Sequence, residues 1–375
     1  MKDQTKSLLL GASVAGLLIL PAAAAEDWVT WPQKNFSGNT LKVDDFVGTL
    51  LVNVHNGGNI NVDVSGTRER MKQIEVHSYG NGVVIEGQND QSVWDWHNWL
   101  NFDYSKSRPD QLVVKVSVPK GTDVRIEDLV GKATVGDTYG PLRLEASATQ
   151  AKIGRVSSAN VSLAGTGHVD IVEVKGPLDL DIAGSGKVNV GPTQSVKADI
   201  AGAGDTALGP IAGGLKVDIA GSGDISSSRV NGPVHVSIAG SGSVNVADGV
   251  ANPLHVDIMG SGSFTFGGLA IDPKVSSFGS GSVKIKAYKG KMSSDGMASV
   301  EVGAPDIAAA AARANAEAAR AVAHANADAA KAVAKANAAA AKATARATAA
   351  AAKAAAKAGS HRGDDNDDDD DDDDR

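Results

Sequence analysis

The chain of 375 residues contains no cysteine. That absence excludes a disulfide framework and leaves no thiol for lipid attachment. Aromatic residues make up only 4% of the chain against 43 glycines, a balance that fits an elongated repeat better than the two globular domains its length would suggest. Long apolar runs are scarce too: the stretch from Leu8 to Leu20 is too short to prefer spanning a membrane. No Gly-x-Ser-x-Gly elbow, His-Glu-x-x-His pair, Walker loop or dinucleotide fingerprint occurs in a strand-helix context. No basic groove suggests nucleic acid, and the net charge of −8 is concentrated at one end, where ten aspartates oppose Arg375.

What the chain does have is a repeat. Windows such as Asp179-Leu-Asp-Ile-Ala-Gly184-Ser-Gly186, Lys216-Val-Asp-Ile-Ala-Gly221-Ser-Gly223 and His235-Val-Ser-Ile-Ala-Gly240-Ser-Gly242 follow one another from about Pro141 to Lys286. Their leading glycines, Gly165, Gly184, Gly202, Gly221, Gly240, Gly260 and Gly279, recur about every 19 residues, a period in the range of solenoids.

Alternation inside each window assigns the faces. Leu178, Leu180 and Ile182 fall on one side and Asp179 and Asp181 on the other. The next windows repeat this with Val196, Ala198 and Ile200, then Leu215, Val217 and Ile219. A second short run follows each turn, as at Val188 and Val190 or Phe264 and Phe266. Each unit therefore reads as one coil of short strands with glycine corners that supply φ > 0. A unit this short cannot hold a βαβ crossover and cannot bury its own aliphatics, so the units must stack. The expected fold is an all-β parallel β-helix.

The Asp-Ile-Ala-Gly-Ser-Gly units, closing with Asp272-Pro-Lys-Val-Ser-Ser-Phe-Gly-Ser-Gly281, resemble the auto-transporter adhesin head GIN domain family of bacteria over about Leu41 to Lys286. The resemblance implies an exported, right-handed, single-stranded β-helix with an adhesin-like label and no established enzymatic activity. Its motifs are those of the repeat, and none marks a site.

The remaining segments are read in order. Residues 1–25 have the layout of a secretory signal peptide: Lys2 and Lys6, the apolar stretch, then Pro21-Ala-Ala-Ala-Ala25. The expected location is the periplasm, the cell surface or the exterior. Residues 26–121 carry short alternating runs, Leu41 to Val43, Leu50 to Val54, Ile60 to Val64, Ile74 to His77, Val83 to Glu86 and Leu112 to Val118, expected to cap the solenoid. Within them lies a Trp-rich insertion, 92–105. Its Trp94, Trp96 and Trp99, with Asp95 and His97, form either an aromatic plug or an exposed loop that stacks on sugars or a partner.

Residues 122–303 are the repeats proper. On their outer side Asp181, Asp199, Asp218 and Asp257 are expected in one column, interrupted by Ser237, beside a column of Asp179, Lys197, Lys216, His235 and His255. The carboxylates form either a stripe for a loosely bound divalent cation or a solvated face balanced by lysines. Carboxylates two coils apart would be ~9.6 Å from each other, near the upper end of the range for inverting glycosidases. Catalysis, however, needs one constellation of unlike roles, and here one residue recurs in coil after coil. No cofactor is expected.

From residue 304 to 359 an eleven-residue Ala-rich repeat predicts a long helix, too charged to be transmembrane. Residues 360–375 end in a poly-Asp block expected to be disordered. Asp367, Asp368, Asp369 and Asp370 in it either solvate the tail or bind cations or mineral surfaces loosely. The expected role is non-enzymatic binding of an envelope component, glycan or surface. The alternatives are a passive envelope scaffold and a polysaccharide-acting enzyme.

Overall fold

The computed structural model describes residues 28–87, 111–296 and 299–303, together with Arg320 and Lys331. The expected signal peptide at 1–25, the Trp-rich insertion, the acidic tail and the rest of the Ala-rich segment lie outside the described residues. Arg320 and Lys331, one eleven-residue period apart, are both helical. The chain divides into two units, 1–307 and 308–375, and every described strand belongs to the first. Among the described residues no helix is long and apolar enough to cross a membrane.

The first unit is an all-β parallel solenoid of about nine turns spaced about 19 residues apart. Leu180, Ala198, Val217, Val236 and Val256 are successive parallel partners, and all are buried. A second column runs Val169, Val188, Thr206, Ile225, Val244, Phe264 and Val283. A third runs Val174, Thr193, Ile211 and Val230. Alternation drives this: each inward side chain meets the same kind of side chain ~4.8 Å above and below, so short strands join one continuous core.

The corners stack as well. Gly165, Gly184, Gly202, Gly221, Gly240, Gly260 and Gly279 are in register, and the peptide after the corners from Gly184 to Gly260 bonds the coil before it, as in Ser185 N–H to Gly165 O at 2.9 Å. Gly221 shows why the column is glycine. Its φ is +138°, and a Cβ there would lie 2.3 Å from the Gly202 carbonyl oxygen.

The N-terminal end departs from this order. Thr40–Asp44 and Val47–His55 make one coil, which pairs on one side with Asp123–Val135. On its other side it pairs with Gly82–Gly87 and Leu112–Pro119, so the earliest coil in sequence lies second in space. Antiparallel strands then finish the end: Asn59–Thr67 on Leu112–Pro119, Ile74–Ser78 on Gly82–Gly87, and Trp28–Thr30 with Lys34–Ser37 on Asn59–Thr67. A single helical turn, Arg68–Met71, capped by the Thr67 hydroxyl, buries Met71 and Arg70 against this end. The Arg70 guanidinium donates to the Val47 carbonyl at 2.5 Å and to Gln73. Each of the six short N-terminal runs lies within a strand. The antiparallel pairing and the inserted coil were not readable from them.

Candidate binding face of the solenoid

The outer side of the glycine-cornered strands carries three neighbouring columns. The first is Asp179, Lys197, Lys216, His235, His255 and Lys274. The second is Asp181, Asp199, Asp218, Ser237, Asp257 and Ser276. The third is apolar: Ala183, Ala201, Ala220 and Ala239 lead to Met259 and Phe278, which are 67% and 63% exposed. Alternation puts these residues outside because their neighbours Ile182, Ile200, Ile219 and Ile238 are inside.

The expected carboxylates are partly brought together. Asp181, Asp199 and Asp218 are direct partners in successive coils, whereas Asp257 lies between Ser237 and Ser276. Carboxylate oxygens of Asp179, Asp181 and Asp199 come within 4.8 Å of one another. Lys197 already serves this group. Its ammonium pairs with Asp199 and lies 3.6 Å from Asp179, while Lys216 reaches Asp218 at 3.2 Å. Partial burial, with Asp179 and Asp199 close by, pushes the Asp181 carboxyl above the usual aspartate range. A shallow groove of about 480 Å³ follows the columns past Asp181, Ala183, Asp199, Ala201, Asp218 and Ala220.

Two groupings were not singled out from the sequence. Asp44, Asp45 and Asp128 converge at a corner of the inserted coil, with Asp45 and Asp128 both at positive φ. Burial, then Asp45 and Asp44, pushes Asp128 up, and Lys42 bridges Asp44 at 2.6 Å and Glu127 at 3.0 Å. The other is His235 with His255, whose facing ring nitrogens, Nε2 and Nδ1, are 2.9 Å apart. Column register already made these histidines neighbours; their ring contact depends on rotamers that no pattern encodes.

Trp94, Asp95, Trp96, His97 and Trp99, like Asp367, Asp368, Asp369 and Asp370, lie outside the described residues. The insertion leaves from Gly82–Gly87 and returns into Leu112–Pro119, the two strands that pair with the inserted coil on its outer side.

No protein-family profile matches the chain, and no curated protein matches it. Among solved structures it is similar to a candidate adhesin from Bacteroides fragilis, at 13% identity and a TM-score of 0.33, over 74% of this chain and 98% of that one. A candidate adhesin from Parabacteroides merdae gives 16% and 0.35, over 75% and 98%. A candidate lipid-binding protein from Parabacteroides distasonis gives 16% and 0.32, over 75% and 97%. Likeness this distant says nothing of ligand or role.

Proposed function

We propose that the chain is an exported, non-enzymatic, adhesin-like protein of the bacterial envelope, of the GIN-domain kind its repeats resemble, with the right-handed coil that resemblance implies. It binds an envelope component, a glycan or another surface through the regular outer face of the solenoid. What supports this is the columns themselves: Asp181, Asp199 and Asp218 recur at one place in successive coils, beside alanines that recur at another. Such a face offers the same contact many times over, which suits an extended, repetitive ligand. One residue type recurring at one place in coil after coil does not supply the unlike roles that catalysis needs.

The leader at 1–25, the helical spacer at 304–359 and the acidic tail at 360–375 belong to the same reading. Loose divalent-cation binding by Asp181, Asp199, Asp218, Asp257 and the tail carboxylates is an accessory to it. A passive scaffold is the second reading, favoured by Lys197 and Lys216, which pair the face's own acids internally.

The test is binding of the full-length protein to a glycan array and to isolated envelopes, alongside a variant with Asp181, Asp199 and Asp218 all changed to Asn. Saturable binding that weakens in the variant supports the adhesin-like reading. Absence of wild-type binding to both would leave the scaffold. Cell fractionation locates the mature chain, and finding it in the cytoplasm would end both readings.

A further inference from the structure

His235 lies in the strand Asp224–Gly240 and His255 in Gly249–Gly260, as direct partners in adjacent parallel coils. Their ring centroids are 4.6 Å apart, the planes are inclined by 40°, and His255 Nδ1 lies 2.9 Å from His235 Nε2. His235 is exposed and His255 half-buried, at the edge of an open groove of about 430 Å³ shared with Asp257, Lys274, Ser276 and Asp295.

Two neutral imidazoles at this separation share one proton. One nitrogen donates and the other accepts. The same separation is also the bite of two imidazoles on a single ion. With metal–nitrogen bonds of ~2.0–2.1 Å, a 2.9 Å chord subtends about 90° at the metal. That is the cis angle of square-planar and octahedral centres, the geometries of Cu²⁺ and Ni²⁺, and it is narrower than a tetrahedral zinc site needs.

The surroundings suit a cation. The groove's lining holds two carboxylates, Asp257 and Asp295, against one ammonium, Lys274, which follows His255 in its column. The other neighbouring ammonium, Lys216, is engaged by Asp218 at 3.2 Å. We propose that His235 and His255 form a chelating site for a divalent transition metal of the Cu²⁺ or Ni²⁺ type, tying two adjacent coils together. On binding, the proton held between the rings moves to the far nitrogen of the ring that carried it. Both facing lone pairs then reach the metal, with no net proton release. Water completes the coordination, and the groove's carboxylates act as charge at a distance. The site is independent of the adhesin-like reading.

The test is titration of Cu²⁺ and of Ni²⁺ into the full-length protein and into His235→Asn, His255→Asn and His77→Asn, the last an exposed histidine on Ile74–Ser78, remote from the pair. The poly-Asp tail is common to all four, so the differences report the pair. Wild type and His77→Asn should bind one tight equivalent that both pair variants lose. Bound Cu²⁺ should show two-nitrogen coupling in its electron paramagnetic resonance spectrum, and the metal should raise the melting temperature of wild type but not of the pair variants. Equal stoichiometry in all four proteins would overturn the proposal. So would loss in only one pair variant, which would mean a single histidine acting with other ligands.

Discussion

Between Pro141 and Lys289 each coil stacks on the coil just before it in sequence, whereas Thr40–Asp44 and Val47–His55 stack between segments that come much later in the chain. The first arrangement is assembled from nearest-neighbour contacts, so each coil adds its own interface. The second cannot form until Leu112–Pro119 and Asp123–Val135 have both arrived, which carries the loop-closure cost of a non-local pairing. The antiparallel strands then cover a ladder edge that would otherwise be open to another chain. Repetition suffices to extend a solenoid, but ending one takes non-repeating sequence.

The sharpest way to break this comparison is to remove one coil from each region. Excising residues 205–223 joins Gly204 to Asp224, the residue that pairs with Asp205, so the following coils should settle one step down in unchanged register. That variant is expected to retain a cooperative unfolding transition. Excising residues 40–55 removes the coil on which both Leu112–Pro119 and Asp123–Val135 depend, and is expected to abolish folding. Circular dichroism melts of the two deletions decide the matter. Equal tolerance would show that the inserted coil is ordinary.

A smaller contrast uses two glycines with positive φ. At Gly80, φ is +52° and an added Cβ meets nothing within 4 Å, so Gly80→Ala should cost only the left-handed backbone penalty, about 1–2 kcal/mol. At Gly221, φ of +138° lies outside the left-handed well, and the clash with the Gly202 carbonyl adds to that strain, for a total of roughly 2–5 kcal/mol. Denaturant unfolding of the two variants measures the gap. A Gly221→Ala variant no less stable than Gly80→Ala would mean that the corners are not close-packed.

These experiments also separate what was legible in the sequence from what was not. The glycine corners and the alternation of Leu178, Leu180 and Ile182 against Asp179 and Asp181 were legible because stacking forces each position to resemble the one a coil away. That self-similarity is what a period detects. The place of Thr40–Asp44 was not legible, because its partners, Gly82–Gly87 and Asp123–Val135, are related to it by pairing alone. The same limit applied to the candidate face. Columns could be written down from the period, but Lys197 reaching both Asp179 and Asp199, or the ring contact of His235 with His255, is a matter of rotamers.

The core offers a finer test, again one residue from each region. Thr206 stands in a column between Val188 and Ile225, and its buried hydroxyl has no hydrogen-bond partner. Thr206→Val keeps the shape and removes the unpaired group, so stability should rise by about 1 kcal/mol. Thr122, beside the inserted coil, is equally buried, but its hydroxyl donates to the Pro119 carbonyl at 2.7 Å. Thr122→Val should therefore destabilise by about 1 kcal/mol. Opposite signs are the expected outcome in matched urea titrations, and a destabilised Thr206→Val would point to a partner for that hydroxyl.

The least effect is expected on the charged face, where solvent screens every pair. The Asp181 carboxyl is raised by partial burial and by Asp179 and Asp199, so the folded state holds its proton more tightly than the unfolded chain does. The associated stability is fully present below the ordinary aspartate value of 3.8 and is lost as pH rises through the higher folded value. At neutral pH the ionised group is therefore a mild liability. Asp181→Asn should raise the melting temperature slightly at pH 7, and the advantage should vanish below the ordinary aspartate value, where both proteins are neutral at that position. A Lys-rich surface with no acid stacked on acid would show the reverse trend. Should Asp181→Asn instead destabilise at pH 7, the carboxylate must be held by a favourable partner such as Lys197, and the face would be self-paired along its whole length.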